Sequence, residues 1–132
     1  MLGIDTNVLV RYIVQDDKEQ SKLASDLIEG QCSENNLGYI NLIVVCELVW
    51  VLDRAYGYDK SLIAGTLEQI LVTDTFEVQS SEIVWKTLRD YRNVTADFSD
   101  LIIAHINEDA GVKQTYTFDK KAGKTRLFAL LT

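Results

Sequence analysis

Met1-Leu2-Gly3-Ile4-Asp5-Thr6-Asn7 reads as a short apolar strand that ends in a carboxylate, and Val8-Leu9-Val10-Arg11-Tyr12-Ile13-Val14 follows as an apolar-periodic helix. An acid at the carboxyl end of a strand, with a helix starting behind it, stands where open α/β sheets hold their ligands. The same acid is also a preferred helix cap, with Thr6 or Asn7 assisting. Both readings of Asp5 are open on this stretch alone, and the rest of the chain has to decide between them.

Working outward, Asp16-Asp17 opens a helix with Leu23, Ala24, Leu27 and Ile28 on one stripe and Gly30 as its stop. Residues 31–37 are loop-like, and Gly38-Tyr39-Ile40 reads as a second strand. From Asn41 the chain is apolar through Leu52. Its β-branched residues keep a strand in play, but its length and the closing Ala55-Tyr56-Gly57 favour a helix. Leu62, Ile63, Leu67, Ile70 and Leu71 mark another helix, and Thr75–Gln79 alternates as a third strand. Ser80 or Ser81 caps a helix bearing Ile83, Val84, Leu88 and Tyr91. Asp97-Phe98-Ser99-Asp100 opens a helix running to Gly111. Thr115-Tyr116-Thr117-Phe118 is a fourth strand ending in Asp119, and Leu127 to Leu131 supplies the last. Strands separated by helices predict an α/β sandwich with a mostly parallel sheet.

The totals agree with one domain over residues 1–132: 47% of the residues are apolar and 25% charged. Proline is absent, where average usage would give about six or seven, so Pro-rich linkers and ligands are excluded. Cys32 and Cys46 show no disulfide or metal spacing; Cys46 reads as a buried small hydrophobe, and a reducing cytoplasm is the expected setting. No export signal is visible, and the longest apolar run is too short to span a bilayer. Net charge is −7, which taken alone argues against nucleic-acid binding.

The acids carry the chemistry. Asp119 repeats the grammar of Asp5, a strand and then a carboxylate, although Asp is common after any strand. Glu47 has Ile43, Val44, Trp50 and Val51 as its helical neighbours. A glutamate is almost never buried without a partner, so it faces a cation, a basic side chain, a wet crevice or a solvent strip. Asp97 and Asp100 share a helical face, and Asp97 is either a ligand or the helix cap. Like charges gathered in one place repel, and a hard divalent cation, Mg²⁺ or Mn²⁺, resolves that with carboxylate ligands. No His or Cys cluster supports zinc. His105, the one histidine, reads as a surface or packing residue.

Asp5-Thr6-Asn7 with Val-Leu-Val-Arg-Tyr, the mid-chain helix acid, Asp-Phe-Ser-Asp-Leu-Ile-Ile-Ala and Thr-Phe-Asp-Lys-Lys together resemble a PIN domain, and within that family the VapC-type toxins of bacterial type II toxin–antitoxin pairs. The resemblance runs over essentially the whole chain. It implies a three-layer α/β/α sandwich and a metal-dependent endoribonuclease using Mg²⁺ or Mn²⁺. Carried over by motif, the catalytic acids are Asp5, Glu47, Asp100 and Asp119, the same four are metal ligands, and Asp97 is an adjacent acid. Asn7 and Thr117 would orient them by hydrogen bonds. The implied partners are an RNA substrate, a cognate antitoxin and a second copy of the chain, as a homodimer or a dimer of toxin–antitoxin pairs.

Lys120, Lys121, Lys124 and Arg126 follow Asp119 as a local basic patch. It answers part of the charge objection: it reads as a phosphate rail, or else as a solvated turn. Trp50 and Trp85 would supply partner surfaces or core. Two other classes stand beside the nuclease. A receiver-type phosphoacceptor needs adjacent acids after the first strand, where this chain has Thr6-Asn7. A catalytically silent PIN module would bind metal and a partner without cleaving RNA.

Overall fold

Leu2–Gly3 forms β1, and the chain turns directly into α1 (Thr6–Val14), because Asp5 holds an extended backbone and its carboxylate accepts the Thr6 amide. The computed structural model describes all residues, 1–132, and places them in two compact units, Met1–Gln79 and Ser80–Thr132.

In the first unit α1 is followed by α2 (Lys18–Gly30), β2 (Gly38–Ile40), α3 (Leu42–Arg54), α4 (Lys60–Val72) and β3 (Phe76–Val78). The helix starts have a common cause. Asp17, Asn41 and Asp59 each accept an amide of the first turn, as short polar side chains at this position do. The strands pair β1-β2-β3, all parallel, with Leu2 opposite Gly38 and Gly38 opposite Phe76. Gly38 is needed there. A Cβ would stand 3.0 Å from Cys32 Sγ, 3.1 Å from a Phe76 ring carbon and 3.3 Å from Ile4 Cγ1. Past α3, Gly57 takes a φ of +65°, which L side chains rarely adopt. Next to it, the Tyr56 hydroxyl joins Arg11 and Asp16 at 3.0 and 2.8 Å. Leu9, Ile40, Leu48, Leu52, Ile63 and Leu67 are the first unit's largest fully buried side chains.

The second unit runs α5 (Ser81–Asn93), α6 (Phe98–Asp109), β4 (Thr115–Thr117), a 3₁₀ turn (Ala122–Lys124) and β5 (Phe128–Leu130). β4 and β5 pair in parallel, Tyr116 opposite Ala129. Tyr91 of α5 meets Phe98 of α6 edge to face, ring centres 5.5 Å apart, and Ala104, Ala122, Leu127 and Phe128 form a buried cluster.

The architecture is α/β, with six helices and parallel strands throughout both sheets, as the alternation of elements predicted. Four local readings are corrected. Ser80 precedes α5 with a φ of +49° and its side chain makes no capping bond, since side-chain caps typically go with an extended backbone at that residue. Cys32 is the buried cysteine and Cys46 is half-buried. Leu23 and Leu62 lie on the exposed faces of their helices. Trp50 is also exposed, at 62%, and is not core. No helix is long and apolar enough to cross a membrane.

Candidate functional site

The first unit brings two of the predicted acids onto one residue. Asp5 Oδ1 accepts the Thr6 amide at 2.9 Å, and Thr6 Oγ1 donates to Glu47 Oε1 at 2.9 Å. Thr6 is 6% exposed, so this hydrogen bond is largely shielded from water. Glu47 itself is exposed, between Ile43 at 71% and Trp50 at 62%. The expectation that burial forces a partner on Glu47 is therefore corrected: it lies on an open strip of α3, held by Thr6. Asn7 is exposed and makes no hydrogen bond to Asp5 or Glu47, whereas Thr6 bonds to both.

The second unit gathers three acids. Asp97 occupies the residue before α6 but makes no capping hydrogen bond, so its carboxylate is available elsewhere. Asp100 follows in the first turn and β4 delivers Asp119. One carboxylate oxygen from each of Asp97, Asp100 and Asp119 lies within 4.8 Å of the others. Of the three only Asp100 is part-buried. Its carboxyl is pushed above the usual carboxylate range, first by burial and then by the charges of Asp119 and Asp97. The positive end of α6 offsets part of that repulsion.

Asp119 is set by its own turn. Its Oδ1 accepts the Ala122 amide at 2.9 Å, and its amide donates to Thr117 Oγ1 at 3.0 Å. Thr117 thus shapes the backbone that carries the acid, as a hydrogen-bonding support, without touching the carboxylate. Three oxygen donors with no histidine or cysteine among them suit a hard divalent cation, which takes carboxylate and water ligands. A raised carboxyl beside two like charges is what such a site costs before a cation neutralises it.

His105 sits further along α6, 2% exposed, with Nε2 2.6 Å from Asp90 Oδ2 of α5 and Nδ1 3.7 Å from Glu108 Oε1. It is a packing residue; the surface alternative is corrected. In the basic patch, Lys120, Lys121, Lys124 and Arg126 are all exposed. Arg126 is paired with Glu108 at 3.1 Å, whereas the three lysines make no ion pair. Thr6, which links Asp5 to Glu47, is the residue of this group that sequence reasoning passed over. Its only signal was a hydroxyl beside Asp5, which reads equally well as help for a helix cap.

Comparison with known proteins adds two findings. The family described as "PIN domain" matches residues 3–126. A curated relative, "VapC ribonuclease" of Aquifex aeolicus (strain VF5), is 21% identical over 121 residues, covering 92% of this chain and 89% of the relative. No solved structure matches at comparable stringency.

Proposed function

Because this chain belongs to the PIN domain family, we propose that it is a divalent-metal-dependent endoribonuclease, the toxin of a toxin–antitoxin pair. The observation that carries the proposal is the group Asp97, Asp100 and Asp119, whose oxygens fit a hard cation and whose repulsion calls for one. The ribonuclease assignment draws on the relative named for that activity. The reading of residues 1–132 as one domain draws on a single family match that runs through both compact units.

In this proposal Asp5, Glu47, Asp100 and Asp119 are the catalytic acids and metal ligands, with Asp97 beside them. A bound Mg²⁺ or Mn²⁺ would supply charge neutralisation and activation of water for phosphodiester hydrolysis. The protein's own part is positional. Thr6 fixes Asp5 through its amide and Glu47 through its hydroxyl, leaving Glu47 Oε2 to orient the attacking water or a second cation. The Thr117 hydroxyl and the Ala122 amide fix the turn that presents Asp119. The three unpaired lysines attract phosphate, weakly and with a steep salt dependence, because few charges contribute.

Water attacks phosphorus in line, the P–O3′ bond breaks, and the leaving oxygen takes up a proton. The products carry a 5′-phosphate and a 3′-hydroxyl. Ligation chemistry that requires a 5′-phosphate reads this out on RNA cut by the purified protein. Ends with a 2′,3′-cyclic phosphate would mean attack by the 2′-hydroxyl and would contradict hydrolysis by water. The proposed partners are RNA, a cognate antitoxin that restrains the toxin, and a second copy of the chain, in a cytoplasmic setting that suits two free cysteines.

A further inference from the structure

Tyr116 and Phe118 are two residues apart, one in β4 and one just beyond it, and they are 65% and 79% exposed. Phe118 is the most exposed large hydrophobic side chain of the chain and immediately precedes Asp119. A ring left in water at that level forfeits most of the stabilisation its burial would bring, so packing within the fold does not explain it. Lys120 and Lys121 follow directly, exposed and without ion pairs.

We propose that Phe118, with Tyr116, is a stacking platform that positions the unpaired bases flanking the cut phosphodiester. The inference rests on the ribonuclease reading and adds to it how the substrate is gripped. Three observations favour RNA as the occupant. Phe118 directly precedes Asp119, an acid of the candidate metal group, so a base stacked there would be held by the chain segment that also carries that acid. The neighbouring cations are the unpaired ones, complementary to phosphate. An aromatic face beside a basic run is the combination by which single strands are held, bases on rings and backbone on cations. Stacking needs a base free of its duplex, so the platform selects loops, bulges and unpaired ends.

The test uses the full-length protein and an RNA oligonucleotide of about eight nucleotides carrying one 2-aminopurine, whose fluorescence falls when it stacks. Binding is followed in EDTA and cleavage with Mg²⁺. Binding to the unaltered protein should quench the probe. Phe118→Ala should weaken binding about tenfold to a hundredfold and abolish the quenching, and in cleavage it should raise KM with kcat nearly unchanged. Phe118→Trp should restore both signals, whereas Phe118→Leu, apolar but without a π face, should not. If the unaltered protein cleaves RNA and Phe118→Ala binds and quenches equally well, the platform is wrong and the nuclease stands. If Phe118→Ala leaves RNA binding intact but converts a dimer into a monomer, the ring is a protein contact and the platform is again wrong. If the unaltered protein neither binds nor cleaves the oligonucleotide, the ribonuclease reading falls and takes this inference with it.

Discussion

Thr6 donates its hydroxyl to Glu47 across 41 positions of sequence, Oγ1 to Oε1 at 2.9 Å, and this bond fixes how the glutamate of α3 is presented. Thr6→Val keeps the β-branched shape and removes the donor, leaving the amide that serves Asp5 in place. With Glu47 in the proposed role of metal ligand, cleavage should drop about ten- to a hundredfold, the usual cost of losing a ligand's orienting partner. Thr6→Ser should recover most of it. Steady-state cleavage rates with unchanged circular dichroism provide the check.

Asp100 makes an opposite prediction for stability and for function. Its carboxyl is raised by burial and by Asp119 and Asp97, so its ionised form is disfavoured in the folded protein. The folded state then holds its proton to higher pH than the unfolded chain. Without divalent cations, stability should fall as pH rises through the interval between the unfolded and folded values, and stay lowered above it. Asp100→Asn should remove that loss and raise Tm by a few degrees at most, while abolishing cleavage. It should also shrink the rise in Tm that Mg²⁺ or Mn²⁺ produces. Thermal melts with EDTA and with each metal, across pH, test all three statements.

His105 separates packing from chemistry. It is buried on α6 and bonded to Asp90 of α5. His105→Ala leaves a cavity and strips a partner from a carboxylate, so it should destabilise by about 2–4 kcal/mol in denaturant titrations. Cleavage by the folded fraction, measured well below its melting point, should be essentially unaltered. A rate that collapses in a fully folded sample would show that the imidazole takes part in the reaction.

The basic patch divides by pairing. Lys120→Gln and Lys121→Gln should each weaken RNA binding uniformly across sequences and lower the salt slope by about one. Arg126→Gln should do less, because its guanidinium is already engaged by Glu108. Binding measured over a range of salt concentrations distinguishes them. Equal effects from all three would mean the Arg126–Glu108 pair opens when RNA arrives.

Where the chain alternates clearly between strand and helix it could be read directly. The strand-then-acid grammar of Asp5 and Asp119, the bounds of β2 and the helix opening at Asp16-Asp17 all emerged from local patterns with local causes. α3 defeated the same method. It is apolar almost all round, so periodicity cannot tell its buried face from the exposed strip of Ile43, Glu47 and Trp50. Asp97 shows a second limit: its position before α6 could be read, but whether its carboxylate caps or turns away is a rotamer choice made by its surroundings. Thr6 shows a third, since its partner is distant in sequence and only the fold brings it near.

The most direct test of the account is cleavage of total bacterial RNA by the purified protein with Mg²⁺, with Mn²⁺ and with EDTA, beside Asp5→Asn. Asparagine caps helices as well as aspartate does, so this variant should fold with α1 intact while losing the carboxylate charge. The account predicts cleavage that requires a divalent cation and disappears in Asp5→Asn. Cleavage that persists in EDTA, or runs at an unchanged rate in a folded Asp5→Asn, would contradict it.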